Sequence, residues 1–201
     1  MNSFPKVSIQ IPCYNQASRI EKAIHSALQQ TYTNFEVIVS DDNSSDNTFA
    51  VASTLNDPRL KVFRNERNLG RVANYHHLLY HLVSGDWVIN LDGDDAFSDA
   101  DFVSRAVHFV NASTDVVLYM ANCKKLKQVR KTISKYSLDE IHVKVLLLDF
   151  LLHYNAYRGF NHMACMFQRT IAMQAGFYSF NSLNADFQSI MKLGKHGSFI
   201  L

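Results

Sequence analysis

Trp87-Val88-Ile89-Asn90-Leu91-Asp92-Gly93-Asp94-Asp95 sets a short apolar run, fit for a buried β-strand, directly against three carboxylates. Phe35-Glu36-Val37-Ile38-Val39-Ser40-Asp41-Asp42 has the same build. An unpaired carboxylate in an apolar interior costs several kcal/mol, so acids at the C-terminal lip of a core strand face a cleft, a cation or both. In open α/β sheets that lip is the ligand-binding edge. Clustered carboxylates attract oxygen-seeking divalent metals. The two stretches therefore point to a metal–phosphate site on a nucleotide-binding sheet.

Working outward, strands are expected over residues 7–11, 35–39, 60–63, 87–91 and 116–120. Pro12 is expected to stop the first, because proline cannot donate to a central ladder. Helices are expected between them. One runs over 19–30 behind a Ser18/Glu21 capping box, with Ile20, Ala23, Ile24, Ala27 and Leu28 on one face. A short one runs to about Leu55 behind Asn43-Ser44-Ser45-Asp46. A third leaves the Asn68-Leu69-Gly70 turn and ends before Ser84-Gly85, and a fourth is capped by Ser98 with Asp101. Strand and helix alternating at this spacing mean βαβ units. Right-handed crossovers then bring both acidic clusters to one edge, although about fifty residues separate them. The second half is less regular. It offers a Ser137/Glu140 capping box before an apolar helix over 141–152, a strand over 162–167, helices over 170–175 and 186–193, and a strand cut short over 197–201. The expected fold class is α/β: a Rossmann-like, mostly parallel sheet flanked by helices in a single domain.

Composition narrows the function classes. The 201 residues are 47% hydrophobic and carry a net charge of +2, too small to argue for nucleic acid. Cys13, Cys123 and Cys165 form no CxxC pair, which fits a reducing cytosol better than a disulfide framework. The N-terminus lacks the apolar core of a signal peptide, and no window reaches the roughly 18 apolar residues of a spanning helix. These features read as cytoplasmic, with peripheral contact at the inner face of a membrane left open. No Walker A motif and no GxGxxG is present, so kinase and dehydrogenase readings lose support.

The motifs in order resemble the opening of the family 2 glycosyltransferases of GT-A fold. They are Val7-Ser8-Ile9-Gln10-Ile11-Pro12-Cys13-Tyr14-Asn15, Ser26-Ala27-Leu28-Gln29-Gln30-Thr31-Tyr32, and Phe35 through Asp46. Asn68-Leu69-Gly70, Asn74, Gly85-Asp86 and Leu91-Asp92-Gly93-Asp94-Asp95 continue the series. Met166-Phe167-Gln168-Arg169, Gly176-Phe177 and Asp186-Phe187 match later landmarks more loosely. The resemblance implies transfer of a sugar from a nucleotide-diphosphate donor, a UDP-sugar above all, to an acceptor hydroxyl of a glycan or lipid-linked acceptor. It also implies inversion at the anomeric carbon and a Mn²⁺ or Mg²⁺ cofactor. About residues 1–100 would form the donor half and 101–201 an acceptor half that ends early.

By the same resemblance Asp42 receives the N–H of the donor's base, with Asp41 as the alternative, and Pro12, Tyr14 and Asn15 line that pocket. Asn68, Gly70 and Arg71 open a helix beside the nucleotide. Asp92 and Asp94 serve the donor, Asp94 and Asp95 the metal, and Asp186 is the catalytic base. The chain departs from the family where Ala185-Asp186 stands for the commoner Glu-Asp and Lys192 for an Arg. His77 and His81 share a helix face without a third metal ligand at suitable spacing, and His162 borders the acceptor side or simply packs. The basic run Lys124, Lys125, Lys127, Arg130, Lys131 and Lys135 is either a solvated loop or an attractor of anionic donor, lipid or membrane. Two other functions compete. A sugar nucleotidyltransferase would need a glycine-rich basic loop after the first strand, where Pro12-Cys13-Tyr14-Asn15-Gln16-Ala17 has neither glycine nor lysine. A non-catalytic or truncated sugar-nucleotide-binding module stays open.

Overall fold

A computed structural model describes residues 4–121, 144–145, 165–182 and 185–200. One sheet of eight strands organises them: β1 Val7–Cys13, β2 Phe35–Asp41, β3 Leu60–Arg64, β4 Trp87–Asn90, β5 Val116–Met120, β6 Lys144–Val145, β7 Cys165–Gln168 and β8 Ser198–Ile200. The helices are α1 Ile20–Leu28, α2 Thr48–Ser53, α3 Arg71–His77, α4 Phe102–Asn111, α5 Arg169–Gln174 and α6 Ala185–Leu193. A π-helical turn over Leu78–Leu82 extends α3.

The strand order is β3-β2-β1-β4-β7-β5-β8-β6. β1 pairs in parallel with β2 and β4, β2 with β3, and β5 with β8. β7 runs against β4 and β5, and β6 against β8, so the sheet is mixed and mostly parallel. Chain order reverses at β1: β2 and β3 build to one side, then the chain crosses back to place β4 on the other. Such a switch point leaves a crevice at the C-terminal strand ends, where ligands of α/β sheets bind.

Every residue of β1, β2, β4 and β5 is buried, as expected of strands covered on both faces. On one face Val7, Ile9, Ile11 and Cys13 pack with Ile20, Ala23, Ile24 and Ala27 of α1 and with Val103, Ala106 and Val107 of α4. On the other, Ile38, Val88, Leu118 and Phe167 pack with Val72, Tyr75, Leu78 and Leu79 and with Ile190 and Leu193 of α6.

Several local expectations need correction. Pro12 does not stop β1, which runs on to Cys13 with Pro12 opposite Ser40. The Pro12 carbonyl accepts from Gly93 N on the β4 side, and N and O of a strand residue point the same way. The missing N–H therefore faces the flank where the β1–β4 ladder has already ended at Gln10. The Ser18/Glu21 box does not form: α1 starts at Ile20 with Arg19 as N-cap and no side-chain cap bond, and Gln16 O accepts from both Arg19 N and Ile20 N. Asp101, rather than Ser98, is the N-cap of α4, again without a side-chain cap bond. Lys144 and Val145 lie in a strand rather than in the apolar helix expected there, because β8 offers them an edge. The rest of that helix, its capping box, the basic run and His162 fall outside the described residues.

Candidate active site

β1 gathers the site. Its last two carbonyls reach both ways: Cys13 O accepts from Asp42 N at 2.9 Å and Pro12 O from Gly93 N at 3.3 Å. The two acidic stretches thus sit on either flank of one strand end. Asp42 is 3% exposed. Its Oδ1 accepts from Asn65 Nδ2 and Leu69 N, and its Oδ2 from Gly70 N, each at 2.8 Å. A carboxylate has about four acceptor positions, and these bonds use three of them. Asp41 turns the other way, accepting from the Ser44 amide and hydroxyl and lying 3.5 Å from Arg64 Nε.

Asp42 thereby fixes the entry into α3. Gly70 sits at φ 87°, ψ 156°, a region open to glycine almost alone, and Asn68 Oδ1 accepts from its N–H at 3.0 Å. The next residue, Arg71, places Nη1 2.8 Å from Asp186 Oδ2 in the first turn of α6. The bond to Asp186 raises the Arg71 guanidinium above its ordinary value, burial opposes, and the charges of Asp186, Tyr75 and Asp92 add to the rise. One turn along α3, the Tyr75 hydroxyl donates to Asp92 Oδ1. Burial, then the charges of Asp92 and Tyr178, raise the Tyr75 phenol well above its ordinary value. Tyr75 stacks on Tyr178 at 5.1 Å, and the Tyr178 hydroxyl accepts from Asn90 Nδ2 at 2.7 Å.

Asp92, Asp94 and Asp95 each offer an oxygen within 4.8 Å of the others. Oxygens on one octahedral Mg²⁺ at about 2.1 Å lie at most about 4.2 Å apart, so modest side-chain rotation would let the three converge. An all-carboxylate set suits Mn²⁺ or Mg²⁺. Arg19 Nη1 lies 3.2 Å from Asp94 Oδ2.

Of the residues singled out in sequence, Asp42, Gly70, Arg71, Asp92, Asp94, Asp95 and Asp186 are linked through β1 and α3. Pro12 is buried within β1, while Tyr14 stands 48% exposed just beyond it. Asn15, at φ 53°, accepts from Ser45 N and braces the loop before α2. Asn68 is exposed and supports Gly70. His77 and His81 pack ring to ring at 5.4 Å on the far end of α3. Tyr75, Tyr178, Asn65 and Arg19 were missed. Tyr75 reads as a core position on an amphipathic helix, and nothing in sequence announces the positive φ of 57° at Tyr178. A cavity of about 410 Å³ opens beside α3, lined by Val72, Ala73, His76, Tyr178, Ser179 and Asn181.

Residues 8–172 match the family model described as Glycosyl transferase family 2. The chain belongs to that family. A relative from Campylobacter jejuni, named GalNAc(5)-diNAcBac-PP-undecaprenol beta-1,3-glucosyltransferase, is 42% identical over 94 residues, covering 45% of this chain and 30% of its own. The mannosyltransferase PcManGT of Pyrobaculum calidifontis, solved with GDP-Man and Mn²⁺, superposes with a TM-score of 0.73 at 21% identity, over 97% of this chain and 54% of that one. S. aureus TarS 1-349 with UDP-GlcNAc superposes with a TM-score of 0.76 at 21% identity, over 96% and 55%. These likenesses establish the GT-A type fold. The chain spans 56% of the length of a Mycobacterium tuberculosis relative and 20% of that of the Pasteurella multocida hyaluronan synthase. Among the described residues no helix is long and apolar enough to cross a membrane.

Proposed function

We infer that this chain is the catalytic core of an inverting, metal-dependent glycosyltransferase that uses a UDP-sugar. The observation that carries the reading is the linkage of Asp42, the Asp92/Asp94/Asp95 group and Asp186 through one helix, α3, at the switch point of the sheet. Asp42 retains one acceptor position on Oδ2 for the N–H of a uracil ring. Pro12 at the end of β1, with Tyr14 and Asn15 just beyond it, would line the base pocket, and Asn68, Gly70 and Arg71 the edge beside it.

Asp94 and Asp95, with Asp92 as a further ligand or ribose contact, would hold the cation. When bound, Mn²⁺ or Mg²⁺ supplies positive charge against the diphosphate leaving group. Asp186 accepts the proton of the acceptor hydroxyl, the hydroxyl oxygen forms the new bond to the anomeric carbon, and the bond from that carbon to the phosphate oxygen breaks with its electron pair leaving on UDP. Attack opposite the leaving group gives inversion. The Campylobacter relative's name, with its undecaprenol diphosphate, supports a lipid-linked glycan as acceptor. Such an acceptor would fit work at the inner face of a membrane, from the cytoplasmic side.

The test is thermal stabilisation by UDP, GDP, CDP and dTDP, each with Mn²⁺ and with chelator. A nucleotide at 100 times its Kd adds about 2.7 kcal/mol to the folded state. UDP is expected to stabilise most, and chelator to remove the effect. Stabilisation by nucleoside triphosphates alone would instead mean nucleotidyl transfer. Asp186→Asn is expected to keep UDP binding and lose donor turnover; full turnover in that variant would refute Asp186 as the base.

A further inference from the structure

The Arg71–Asp186 pair poses a problem for catalysis. A base whose carboxylate is occupied by a guanidinium at 2.8 Å is poorly placed to take an acceptor proton through the same oxygen. The Arg71 side chain is 46% exposed while that of Asp186 is 12% exposed, so of the two partners the cation is the more open to an arriving ligand. Arg71 also stands between two acidic features: Asp186 on α6, and Asp92, which is bonded to Tyr75 one turn along the same helix. A diphosphate held over the acidic group would approach the guanidinium from the Asp92 side. Guanidinium binds phosphate oxygens in the same forked manner as carboxylate, so the two anions compete for one cation.

Resting on the proposed UDP-sugar reading, we propose that Arg71 is a two-position residue: it covers Asp186 in the donor-free protein and moves to the donor's diphosphate on binding, uncovering Asp186. The base is then available only when a donor is in place. No bond to Arg71 is made or broken covalently; the change is an exchange of ion-pair partners. The entry to α3 suits this. The backbone at Leu69 and Gly70 is pinned by Asp42, so the motion is confined to the Arg71 side chain.

The exchange has a thermodynamic signature that a static structural pair lacks. Removing the competing anion should release Arg71, so Asp186→Asn is expected to bind UDP with Mn²⁺ about fivefold tighter than the parent, the size of a half-exposed ion pair. Arg71→Ala should bind it about fivefold or more weaker. In the Arg71→Ala background, Asp186→Asn should change UDP affinity by less than about twofold, because the coupling runs through Arg71. Isothermal titration of the four proteins reads all three values, and urea unfolding of each reports folding separately. Equal tightening by Asp186→Asn with and without Arg71 would overturn the proposal and leave only a long-range charge effect. So would a crystal structure with UDP and Mn²⁺ that keeps Arg71 Nη1 on Asp186. Failure of the parent protein to bind UDP at all would instead overturn the underlying functional reading.

Discussion

Asp42→Asn separates an acid that only reads a ligand from one that holds the fold. The carboxylate accepts three short bonds while nearly fully buried. An amide has the same shape but one oxygen. If that oxygen takes the Oδ1 position, the amide nitrogen faces Gly70 N–H; if it takes Oδ2, the nitrogen faces both Asn65 Nδ2 and Leu69 N. The better choice loses one bond, and a bond to a charged group is worth about 1.5–3 kcal/mol. The two survivors lose their charge assistance and weaken. The sum is a destabilisation of about 2–4 kcal/mol. For a chain of this size each kcal/mol moves Tm by about 2–4 °C, so calorimetry without nucleotide should give a fall between about 4 and 16 °C. Faster amide exchange at Leu69 and Gly70 should accompany it. A Tm within about 1 °C of the parent, with UDP binding lost, would mean that Asp42 points at the ligand alone and that the anchoring argument is wrong.

Glu36 offers a pH test. Burial pushes its carboxyl up, but bonds from Lys6, the Ser84 amide, Ser8 and the Ser84 hydroxyl outweigh it and hold the group at about 2 against an ordinary 4.5. The folded value is depressed, so its stabilisation is complete above about pH 4.5 and is lost as pH falls toward 2, with a ceiling of about 3 kcal/mol. Glu36→Gln should flatten urea stability across that window; an unchanged acid slope would refute the assignment. Gly85→Ala would put a Cβ 2.6 Å from Ser8 N and 2.8 Å from Lys6 O, backbone atoms that cannot rotate away. Overpacking there should cost about 1–3 kcal/mol by chemical denaturation; a neutral substitution would mean the β1–β4 entry is looser than described. Burial, then Asp41, Asp46 and Asp42, push the Cys13 thiol far up. Peptide mapping after maleimide treatment at pH 8 should find Cys13 unmodified in the native protein and modified in urea; rapid native labelling would contradict it.

What the residues announce, and what they hide, divides along a physical line. β5 falls at 116–120 as its apolar run indicates, and the buried face of α1 is the one its spacing marks, because burial writes periodicity directly into residue choice. Helix starts were less legible. Ser18 and Glu21 carry the right capping chemistry, yet the turn closed by Gln16 O already serves the amides of Arg19 and Ile20. Lys144 and Val145 look helical by composition and are extended because a neighbouring edge accepts them, a tertiary effect no local window contains. In the site, charged groups after strands were visible, whereas Tyr75 and Tyr178 were not: their rings serve the core and only their hydroxyls reach Asp92 and Asn90.

Gly93 shows how one position joins these levels. Between acids it reads as the pivot of a tight turn, but its φ is not among the positive ones. Its requirement is space: a Cβ would lie 2.2 Å from Gln16 Oε1 and 2.9 Å from Cys13 Cβ. The acidic turn is pressed against the end of β1, where its amide meets Pro12 O. The same strand end holds Asp42 through Cys13 O on its other flank. Gln16 Oε1 can swing aside but Cys13 Cβ cannot, so a side chain at 93 is expected to push the carboxylate group away from the strand that also positions Asp42, with the displacement passing to α3 through Tyr75 and Asp92. The absence of a side chain at Gly93 thus sets how closely the two acidic lips stand on either flank of β1.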